Sequence, residues 1–525
     1  MVYWVIPMYG RAPRPAMKTE WSDEMSRCRL SRADRRFAVV CTTVFSMLAH
    51  LYRWMCAGFA LDSMMFVESV DIEGQIALGR FMQPVYWQVR GYITSPPVVG
   101  LFATAFLALA ALLILDLTGI VSRAGIALTC GVLAVNETLS ASYASYLSWV
   151  DVYMLALLLA VAACWLQSRY RRGFLVSPVL YCLSAALYQS YLQAAVTTVL
   201  LMLIARALDG EKPMRLLLEG IGHALTVLAG LLLYAVAYKW VIRLYGTTVS
   251  DSYNTVANAT AIDLQSLPGL LGEAYCGPLT YLFAQNGFAP AALNWVLLAA
   301  GLACGFLLWR RVAPGAKALV LLLTAMLPFG MNFVTVISKG LVHMLMNYAY
   351  FFFYLFVIRL AEGAAHQSGG RLSQAMRAAT TVGISAVIAM SCLTAQTLYV
   401  KRDLELQSTL SVMTRVLDRL EATPGYVPGE TPVVLLGYLP SSKLALVRPG
   451  FERVSQYQGM RSTYADAYEA SHPWYMDFFL GWPVNLVTPD EARAWQNSEL
   501  SESLPGFPSE GCIQIIDGMA FVRLS

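Results

Sequence analysis

Long apolar runs separated by short polar connections fill most of the chain before position 399. A run of about 20 apolar residues can cross a bilayer as a helix. Because the runs have roughly this length, we predict eleven transmembrane helices and an all-α polytopic membrane body over 37–398. The predicted crossings lie at 37–59, 97–118, 124–138, 150–167, 173–188, 190–207, 219–241, 289–309, 316–337, 342–361 and 378–398.

The basic residues of the polar connections indicate how these helices are oriented. Arginine and lysine are enriched in cytoplasmic loops. Here they concentrate in the N-terminal tail, residues 1–36, and in every second connection after it. We therefore predict a cytoplasmic N-terminus and outer loops at 60–96 and 242–288. Because the number of crossings is odd, the C-terminal segment 399–525 is also predicted to lie outside the cytoplasm.

The C-terminal segment has the pattern of a small extracytoplasmic α/β domain. Asp403–Ala422 carries apolar residues at three-to-four spacing, which is typical of an amphipathic helix. Residues 431–439 form an apolar run that indicates a buried strand, and Thr488 precedes acids that favour the first turn of a helix. Two alternating runs joined at Asp517-Gly518 predict a hairpin at the end of the chain.

The composition narrows the classes of protein that fit this pattern. Of 525 residues, 57% are hydrophobic and 13% are charged, whereas about a quarter of the residues in soluble domains are charged. No basic run interleaved with aromatic residues supports nucleic-acid binding. The sequence contains no CxxC pair, HExxH motif or DxD pair, so it predicts neither a metal site nor another cofactor.

Acidic residues beside predicted spans are the main candidates for chemistry, because such residues are costly there without a role. The first group follows the first span and comprises Asp62, Glu68, Asp71 and Glu73. The second group lies between the third and fourth predicted spans and comprises Glu137 and Asp151. A carboxylate at the membrane edge can act as a general base toward a hydroxyl group. Asp62 is the preferred base because it lies closest to the predicted bilayer edge. Alternatively, the four acids of the first group are solvated charges or ion-pair partners of Arg80 and Arg90.

Four basic or titratable residues lie on the same predicted outer face. Arg80 and Arg90 follow the first acidic group, and a guanidinium can bind a phosphate through two hydrogen bonds. Lys339 precedes the tenth predicted span and is a further candidate for phosphate binding. His343 is either a substrate ligand or a structural histidine.

Polar aromatic residues also reach this face, between the fifth and sixth predicted spans. Tyr188, Gln189 and Tyr191 stand between two apolar runs. Tyrosines at such positions commonly form an aromatic belt at the membrane interface. The neighbouring glutamine makes sugar binding the alternative interpretation.

The order of these features resembles the GtrII-type glucosyltransferase family, whose members add glucose to bacterial surface polysaccharides. The resemblance rests on an acid after the first span and on five further stretches: Asp62, Gly79-Arg80-Phe81, Glu137, Asp151-Val152-Tyr153-Met154, Tyr188-Gln189-Ser190-Tyr191 and the ending GCIQIIDGMAFVRLS. The chain departs from the family pattern in having Ser63 after Asp62, where paired acids are more usual. It also lacks an arginine just before Asp151, and the interval from Glu137 to Asp151 is longer.

The resemblance implies a GT-C architecture, in which a helical membrane body carries catalytic groups on outer loops. It also implies a polyprenyl-phosphate-linked glucose donor, a surface polysaccharide or lipid-linked glycan as acceptor, and a location in the bacterial cell membrane. In this scheme Asp62 is the base, while Glu137 and Asp151 orient the acceptor or share the acid–base work.

Three other classes of membrane protein share parts of the pattern. A lipid-linked oligosaccharide flippase or transporter needs charges within its spans and often has halves related by a repeat; here the acids lie in outer loops and no repeat is evident. A polysaccharide polymerase or ligase shares the long outer loops but uses a polymeric donor. In a receptor-like protein, the external tail would carry the function.

Overall fold

Among the described residues of the computed structural model, ten segments are long and apolar enough to cross a membrane, which confirms the polytopic helical architecture. They are Arg32–Met55, Pro96–Thr118, Arg123–Ser145, Leu147–Arg169, Gly173–Leu208, Pro213–Tyr245, Ala291–Trp309, Pro314–Asn332, Met344–Gln367 and Arg371–Glu421. The structure describes residues 30–56, 72–92, 94–248, 265–285, 287–340, 342–368, 370–437, 450–454, 476, 480–481, 483–496 and 498–524.

Seven helices form the first part of the bundle. They are α1 (Arg32–Met55), α2 (Ile72–Ala77), α3 (Met82–Arg90), α4 (Pro96–Thr118), α5 (Arg123–Ala134), α6 (Glu137–Ser145) and α7 (Val150–Arg169). The candidate span Arg123–Ser145 is divided into α5 and α6 because Asn136 caps the second helix. The Asn136 side chain accepts a hydrogen bond from the Leu139 N–H at 2.9 Å, which is the usual N-cap interaction.

The chain reverses direction inside the 36-residue segment Gly173–Leu208. Helix α8 (Gly173–Tyr188) and helix α9 (Leu192–Leu208) are joined by a 3₁₀ turn, Gln189–Tyr191. Helix α8 is antiparallel to α7, because hydrogen bonds join Ser184 to Ala156 and Ser177 to Ala163. Helix α9 is parallel to α7, because hydrogen bonds join Cys164 to Ala195 and Ser168 to Met202. The two predicted crossings 173–188 and 190–207 are therefore separate helices.

The second part of the bundle surrounds this central group. Its helices are α10 (Pro213–Tyr245), α11 (Leu267–Phe283), α12 (Ala291–Trp309), α13 (Pro314–Asn332), α14 (Val334–Ile337), the 3₁₀ helix Met344–Phe351, α15 (Phe352–Ser368) and α16 (Arg371–Glu421). Helix α11, with 17 residues, lies within the predicted loop 242–288. Helix α16 has 51 residues, about 75 Å at the usual helical rise. It unites the last predicted crossing with the predicted helix Asp403–Ala422.

We call the end of the bundle where α7 begins the upper end, and the end where α7 finishes the lower end. Asp151 and Arg169 mark these ends on α7 and are separated by about 27 Å along the helix axis. Charged residues at the lower end are joined in ion pairs. The pairs are Arg169–Asp116, Arg206–Glu211, Arg206–Glu219 and Arg359–Asp209.

The C-terminal part of the chain contains a three-stranded sheet, beside which the last turns of α16 pack. The order is β1-β3-β2, with β1 (Val433–Leu436) parallel to β3 (Met519–Arg523) and β2 (Ile513–Ile516) antiparallel to β3. Asp517 and Gly518 have positive φ angles of 50° and 79°, as a tight hairpin turn requires. The predicted strand and hairpin are thus confirmed.

Three short helices complete this part of the chain. They are the 3₁₀ helix Phe451–Val454, α17 (Pro489–Gln496) and α18 (Glu499–Ser503). The predicted cap at Thr488 is confirmed, because its N–H donates to the Glu491 carboxylate at 2.9 Å. In return, the Glu491 N–H donates to the Thr488 hydroxyl, which forms a capping box.

A glycine sets the separation of α8 and α10. A Cβ atom at Gly230 would lie 2.6 Å from the Cβ of Tyr181 and 3.0 Å from the Pro178 carbonyl oxygen. We therefore expect Gly230→Val to destabilise the bundle by about 1–3 kcal/mol, the usual cost of overpacking. The apparent melting temperature of the purified protein measures this effect. Gly272→Val on α11 is the control, because no atom lies within 4 Å of its Cβ position. Equal melting temperatures would contradict the close helix contact.

Candidate functional site

Several predicted site residues converge at the upper end of the bundle. The turn Leu78–Phe81, between α2 and α3, lies against the 3₁₀ turn Gln189–Tyr191 and against α10. Gln189 Nε2 donates to the Leu78 carbonyl at 3.2 Å and to the Tyr234 hydroxyl at 2.8 Å. The Tyr234 hydroxyl in turn donates to the Gly79 carbonyl at 3.0 Å. Gln189 therefore holds the backbone that precedes Arg80.

Gly79 is required by this arrangement. Its φ angle is 78°, a left-handed conformation that favours glycine, and a Cβ there would collide with the Tyr234 hydroxyl. Phe81 stacks on Tyr234, with ring centroids 5.9 Å apart and planes 14° apart. The Gly-Arg-aromatic sequence thus shapes the turn that presents Arg80.

Arg80 is a cation in an aromatic environment. Its guanidinium carbon lies 4.9 Å from the centre of the Tyr188 ring, a distance typical of a cation–π interaction. No carboxylate among the described residues forms an ion pair with it, and its buried Nε has no hydrogen-bond partner among them. The structure thus brings the predicted residues Arg80, Tyr188 and Gln189 together.

Tyr191 belongs to a cluster of four tyrosines behind Arg80. Its ring centroid lies 5.9 Å from that of Tyr188, 6.0 Å from that of Tyr153 and 5.4 Å from that of Tyr348. Tyr191 is 1% exposed, and its hydroxyl has no hydrogen-bond partner among the described residues. It therefore packs in the wall behind the site and does not lie on an aromatic belt facing water.

Arg90 and Asp151 form an enclosed ion pair. Arg90 Nη1 lies 2.8 Å and 3.0 Å from the two Asp151 carboxylate oxygens, and the two side chains are 1% and 0% exposed. The Tyr86 hydroxyl and the Val152 N–H also donate to this carboxylate. Burial, followed by the Asp151 charge, raises the pKa of Tyr86 well above its usual range, so Tyr86 remains a donor.

The pair is part of a larger attachment of α3 to the bundle. Trp149 Nε1 donates to Gln83 Oε1 at 3.0 Å, and Gln83 Nε2 donates to the Leu187 carbonyl at 2.6 Å. Trp87, fully buried, meets Trp149 edge-on with ring centroids 6.1 Å apart. These contacts fix α3 against the beginning of α7 and the end of α8.

His343 contacts Tyr146 and is close enough to Arg80 to respond to its charge. Its Nε2 is 3.5 Å from the Tyr146 hydroxyl, and its ring meets the Tyr146 ring edge-on at 5.7 Å. Its Nδ1 accepts a hydrogen bond from the Leu345 N–H, so it caps the 3₁₀ helix Met344–Phe351. Burial lowers the pKa of His343, and the positive charge of Arg80 lowers it further. His343 is consequently neutral at neutral pH.

Lys339 occupies an exposed turn before this 3₁₀ helix. Its φ angle is 53° and that of Gly340 is 85°, and the Gly340 N–H donates to the Thr335 carbonyl at 2.9 Å. Its side chain is exposed, and no ion pair with a described carboxylate involves it. The phosphate-binding role of Lys339 stays a prediction.

Glu137 points toward the segment before α12. It is the first residue of α6, is 6% exposed and accepts a hydrogen bond from the Phe288 N–H at 3.2 Å. Its neighbour Thr138 donates to the Met344 carbonyl at 3.0 Å, so α6 also contacts the residue after His343. The catalytic role assigned to Glu137 stays a prediction.

Asp62, the preferred base, lies outside the described residues, as do Glu68 and Asp71. The described chain stops at Cys56, which follows the upper end of α1, and resumes at Ile72. Arg53 lies one turn before this point, is 3% exposed and donates to the carbonyls of Tyr143 and Cys56.

Two buried arginines at the upper end were missed by the sequence interpretation. Arg402 on α16 is 4% exposed and donates to the Ser145 hydroxyl and to Glu405, both at 3.0 Å. Arg53 Nη2 and Arg402 Nε are buried without a partner among the described residues. An arginine near the end of an apolar span is itself a signal for function, and Arg53 meets that description.

We refer to Arg53, Arg80 and Arg402 as the cationic rim. Arg402 adjoins Tyr146 through its bond to Ser145, and Tyr146 adjoins His343. Two described carboxylates lie near this rim: Glu405, which pairs with Arg402 and with Lys401, and Asp403, whose charge acts on Arg53. Among the described residues the rim therefore carries excess positive charge, as a phosphate-binding site requires. No group of three or more His, Cys, Asp or Glu side chains in the described part of the chain forms a candidate metal site.

Apolar spans with a cluster of cationic side chains at one end define a polytopic membrane protein. A family model described as glucosyl transferase GtrII matches residues 55–360, more than half of the chain, and the chain belongs to this family. The protein is accordingly a membrane glucosyltransferase, as the sequence motifs predicted. No curated protein and no solved structure matches the chain. The matched region contains Arg80, Glu137, Asp151 and the Gln189 turn.

Removing one partner of the Arg90–Asp151 pair leaves a buried charge uncompensated, which typically costs about 3–5 kcal/mol. We therefore expect Asp151→Asn to lower the apparent melting temperature strongly, and Arg90→Met combined with Asp151→Leu to recover most of the loss. The control is Asp490→Asn, which breaks a surface pair whose side chains are 58% and 88% exposed and should have little effect. A fully stable Asp151→Asn protein would contradict the enclosed pair.

The proximity of Arg80 to His343 predicts a shift in a histidine titration. In Arg80→Gln the pKa of His343 should rise toward its usual value, because a neighbouring positive charge disfavours the protonated imidazole. NMR of the protein with ¹³C-labelled histidine measures this midpoint, and the signal lost in His343→Gln identifies the residue among five histidines. Arg123→Gln at the lower end should leave the midpoint unchanged. An unchanged midpoint in Arg80→Gln would show that the two side chains are not close.

Proposed function

We propose that the protein transfers glucose from a polyprenyl-phosphate-linked donor to a polysaccharide or lipid-linked glycan on the outer face of the bacterial cell membrane. The observation that carries this proposal is the cationic rim around Tyr146 and His343. The rim places three guanidinium groups at the upper end of an apolar bundle, where a lipid-linked donor would present its phosphate. Membership of the GtrII family supports glucose as the sugar.

In the proposed reaction Asp62 removes a proton from the acceptor hydroxyl. The acceptor oxygen bonds to the anomeric carbon of glucose, and the bond from that carbon to the phosphate oxygen breaks. The leaving polyprenyl phosphate takes the bonding electron pair. Arg80 stabilises the charge that develops on this phosphate, since preorganised cations act most strongly where charge develops. Arg53 and Arg402 supply further positive potential. Lys339, which is exposed, is proposed as a further phosphate contact at the edge of the site.

The geometry of the other predicted residues supports positioning roles. Asp151 is enclosed with Arg90, so the pair fixes α3 and thereby the turn that presents Arg80. Gln189 holds the same turn from α8, while Tyr188 and Tyr191 provide the aromatic wall. Glu137 fixes the start of α6, beside the residue that follows His343, and in this way orients the acceptor side.

The upper end faces outward in this proposal. Two features support the orientation. Basic residues are abundant in the connections of the lower end, at 169–172, 206–215 and 310–317, which is typical of cytoplasmic loops. Helix α16 also carries the C-terminal α/β part from the upper end, so this part is extracytoplasmic and the N-terminus cytoplasmic.

Transfer by the purified protein tests the proposal. The protein is reconstituted in liposomes with polyprenyl-phosphate-glucose labelled in the sugar, and the label is followed into added cell-envelope glycans. We expect label in a glycan product without a nucleotide sugar or an added metal ion. Label that remains on the lipid in the presence of every glycan fraction would refute the donor assignment. Label that crosses the bilayer unchanged would favour the flippase alternative.

Asp62→Asn should reduce transfer by at least about 100-fold, because general bases typically contribute 10²–10⁴ in rate. The matched control is Glu73→Gln, which removes an acid of the same loop that the proposal leaves without a role. Both variants are compared at equal amounts of folded protein, measured by their melting curves. Full activity in Asp62→Asn would remove this residue from the mechanism.

A further inference from the structure

A second polar cavity opens at the lower end of the bundle, about 27 Å along α7 from Asp151. Its volume is about 960 Å³, and it lies among the ends of α7 and α9 and the beginning of α10. The cationic side chains in its lining are Arg169, Arg206, Lys212 and Arg215, and the acidic ones are Glu211 and Glu219. None of the residues of the candidate site lines it.

The charges of this cavity are only partly balanced. Arg206 pairs with Glu211 and Glu219, and Arg169 pairs with Asp116. Lys212 and Arg215 are exposed, and no described carboxylate forms an ion pair with either. Helix α10 also begins here, at Pro213, and the N-terminal end of a helix favours a bound anion. An anionic group therefore suits this cavity.

A buried histidine independently indicates a ligand. His223 is 2% exposed and lines the cavity. One of its ring nitrogens, Nε2, lies 3.2 Å from the Ser168 hydroxyl. The other, Nδ1, is buried without a hydrogen-bond partner among the described residues. Buried polar atoms of this kind normally have a partner.

His223 lines both the polar cavity and an adjacent apolar groove. The groove has a volume of about 510 Å³ and lies between α9, α10 and α13. Its lining is otherwise apolar, from Leu216 near the lower end to Ile337 above. A polar cavity that contains cations without a described ion-pair partner and adjoins an apolar groove in a membrane bundle matches the headgroup and the acyl chain of a phospholipid.

We infer that this cavity and groove together bind one anionic phospholipid, with the phosphate near Lys212 and Arg215 and an acyl chain beside α10. Basic pockets between transmembrane helices are known to accept anionic headgroups. The free inorganic anion is the alternative source of the same chemistry, but it leaves the groove without an occupant. The site goes beyond glucosyl transfer and uses none of its residues.

Lipid binding to the purified full chain tests the inference. Delipidated protein receives phosphatidylglycerol, phosphatidylcholine with the same acyl chains, or inorganic phosphate. Native mass spectrometry measures the bound lipid, and scanning fluorimetry measures the melting temperature. Phosphatidylglycerol should bind and stabilise, and the other two should not. In Lys212→Ala/Arg215→Ala its affinity should fall on the order of tenfold or more, at about 1 kcal/mol for each cation near an anionic headgroup.

Two further variants make the experiment specific. Arg371→Ala/Arg377→Ala removes two exposed cations of the lower end outside the cavity and should not change the affinity. Ala224→Trp fills the groove from an exposed position and should weaken phosphatidylglycerol binding without lowering stability in the absence of lipid. Equal effects of the two phospholipids, or of inorganic phosphate and phosphatidylglycerol, would overturn the inference. Because no glucose donor is present, a failure here is distinct from a failure of the proposed transfer reaction.

Discussion

The candidate site depends on the buried ion pair between Arg90 and Asp151. Removing two charges from water costs several kcal/mol for each ion, and only good geometry with further hydrogen bonds offsets this cost. The Asp151 carboxylate meets that condition, because Arg90, Tyr86 and the Val152 N–H all donate to it. The pair therefore determines where α3 lies across the upper end. The Arg80 turn immediately precedes α3, so the position of this cation follows from a contact that the substrate does not reach.

The two ends of the bundle balance their charges differently. At the lower end most buried or half-buried arginines face carboxylates, and these pairs hold helix ends together. At the upper end no described carboxylate forms an ion pair with Arg53 or Arg80, and the guanidinium of Arg80 lies over the Tyr188 ring. An aromatic wall lowers the local polarity and so strengthens the attraction of a guanidinium for a phosphate. The same chain thus pairs its arginines with carboxylates at one end, whereas at the other end the proposed function assigns them to binding the substrate phosphate.

The sequence predicted the apolar helices, the strand and hairpin of the C-terminal part and the residues around Arg80, because these depend on local periodicity and short motifs. It did not predict that Gln189 holds the turn that presents Arg80. The hydrogen bond responsible joins Gln189 to Leu78, and these residues are more than 100 positions apart. Arg402 was missed because α16 continues without interruption through the assumed domain boundary at 399. The pair between Arg90 and Asp151 was not predicted either, because its two residues are 61 positions apart in the sequence.

The uninterrupted course of α16 has a mechanical consequence. Arg402 lies on the same rigid rod as the turns that pack beside the C-terminal sheet, with no flexible joint between them. Because a helix resists bending over a few turns, a tilt of the sheet would be accompanied by a movement of Arg402. The position of the C-terminal sheet is therefore linked, through one continuous helix, to the position of a guanidinium in the cationic rim.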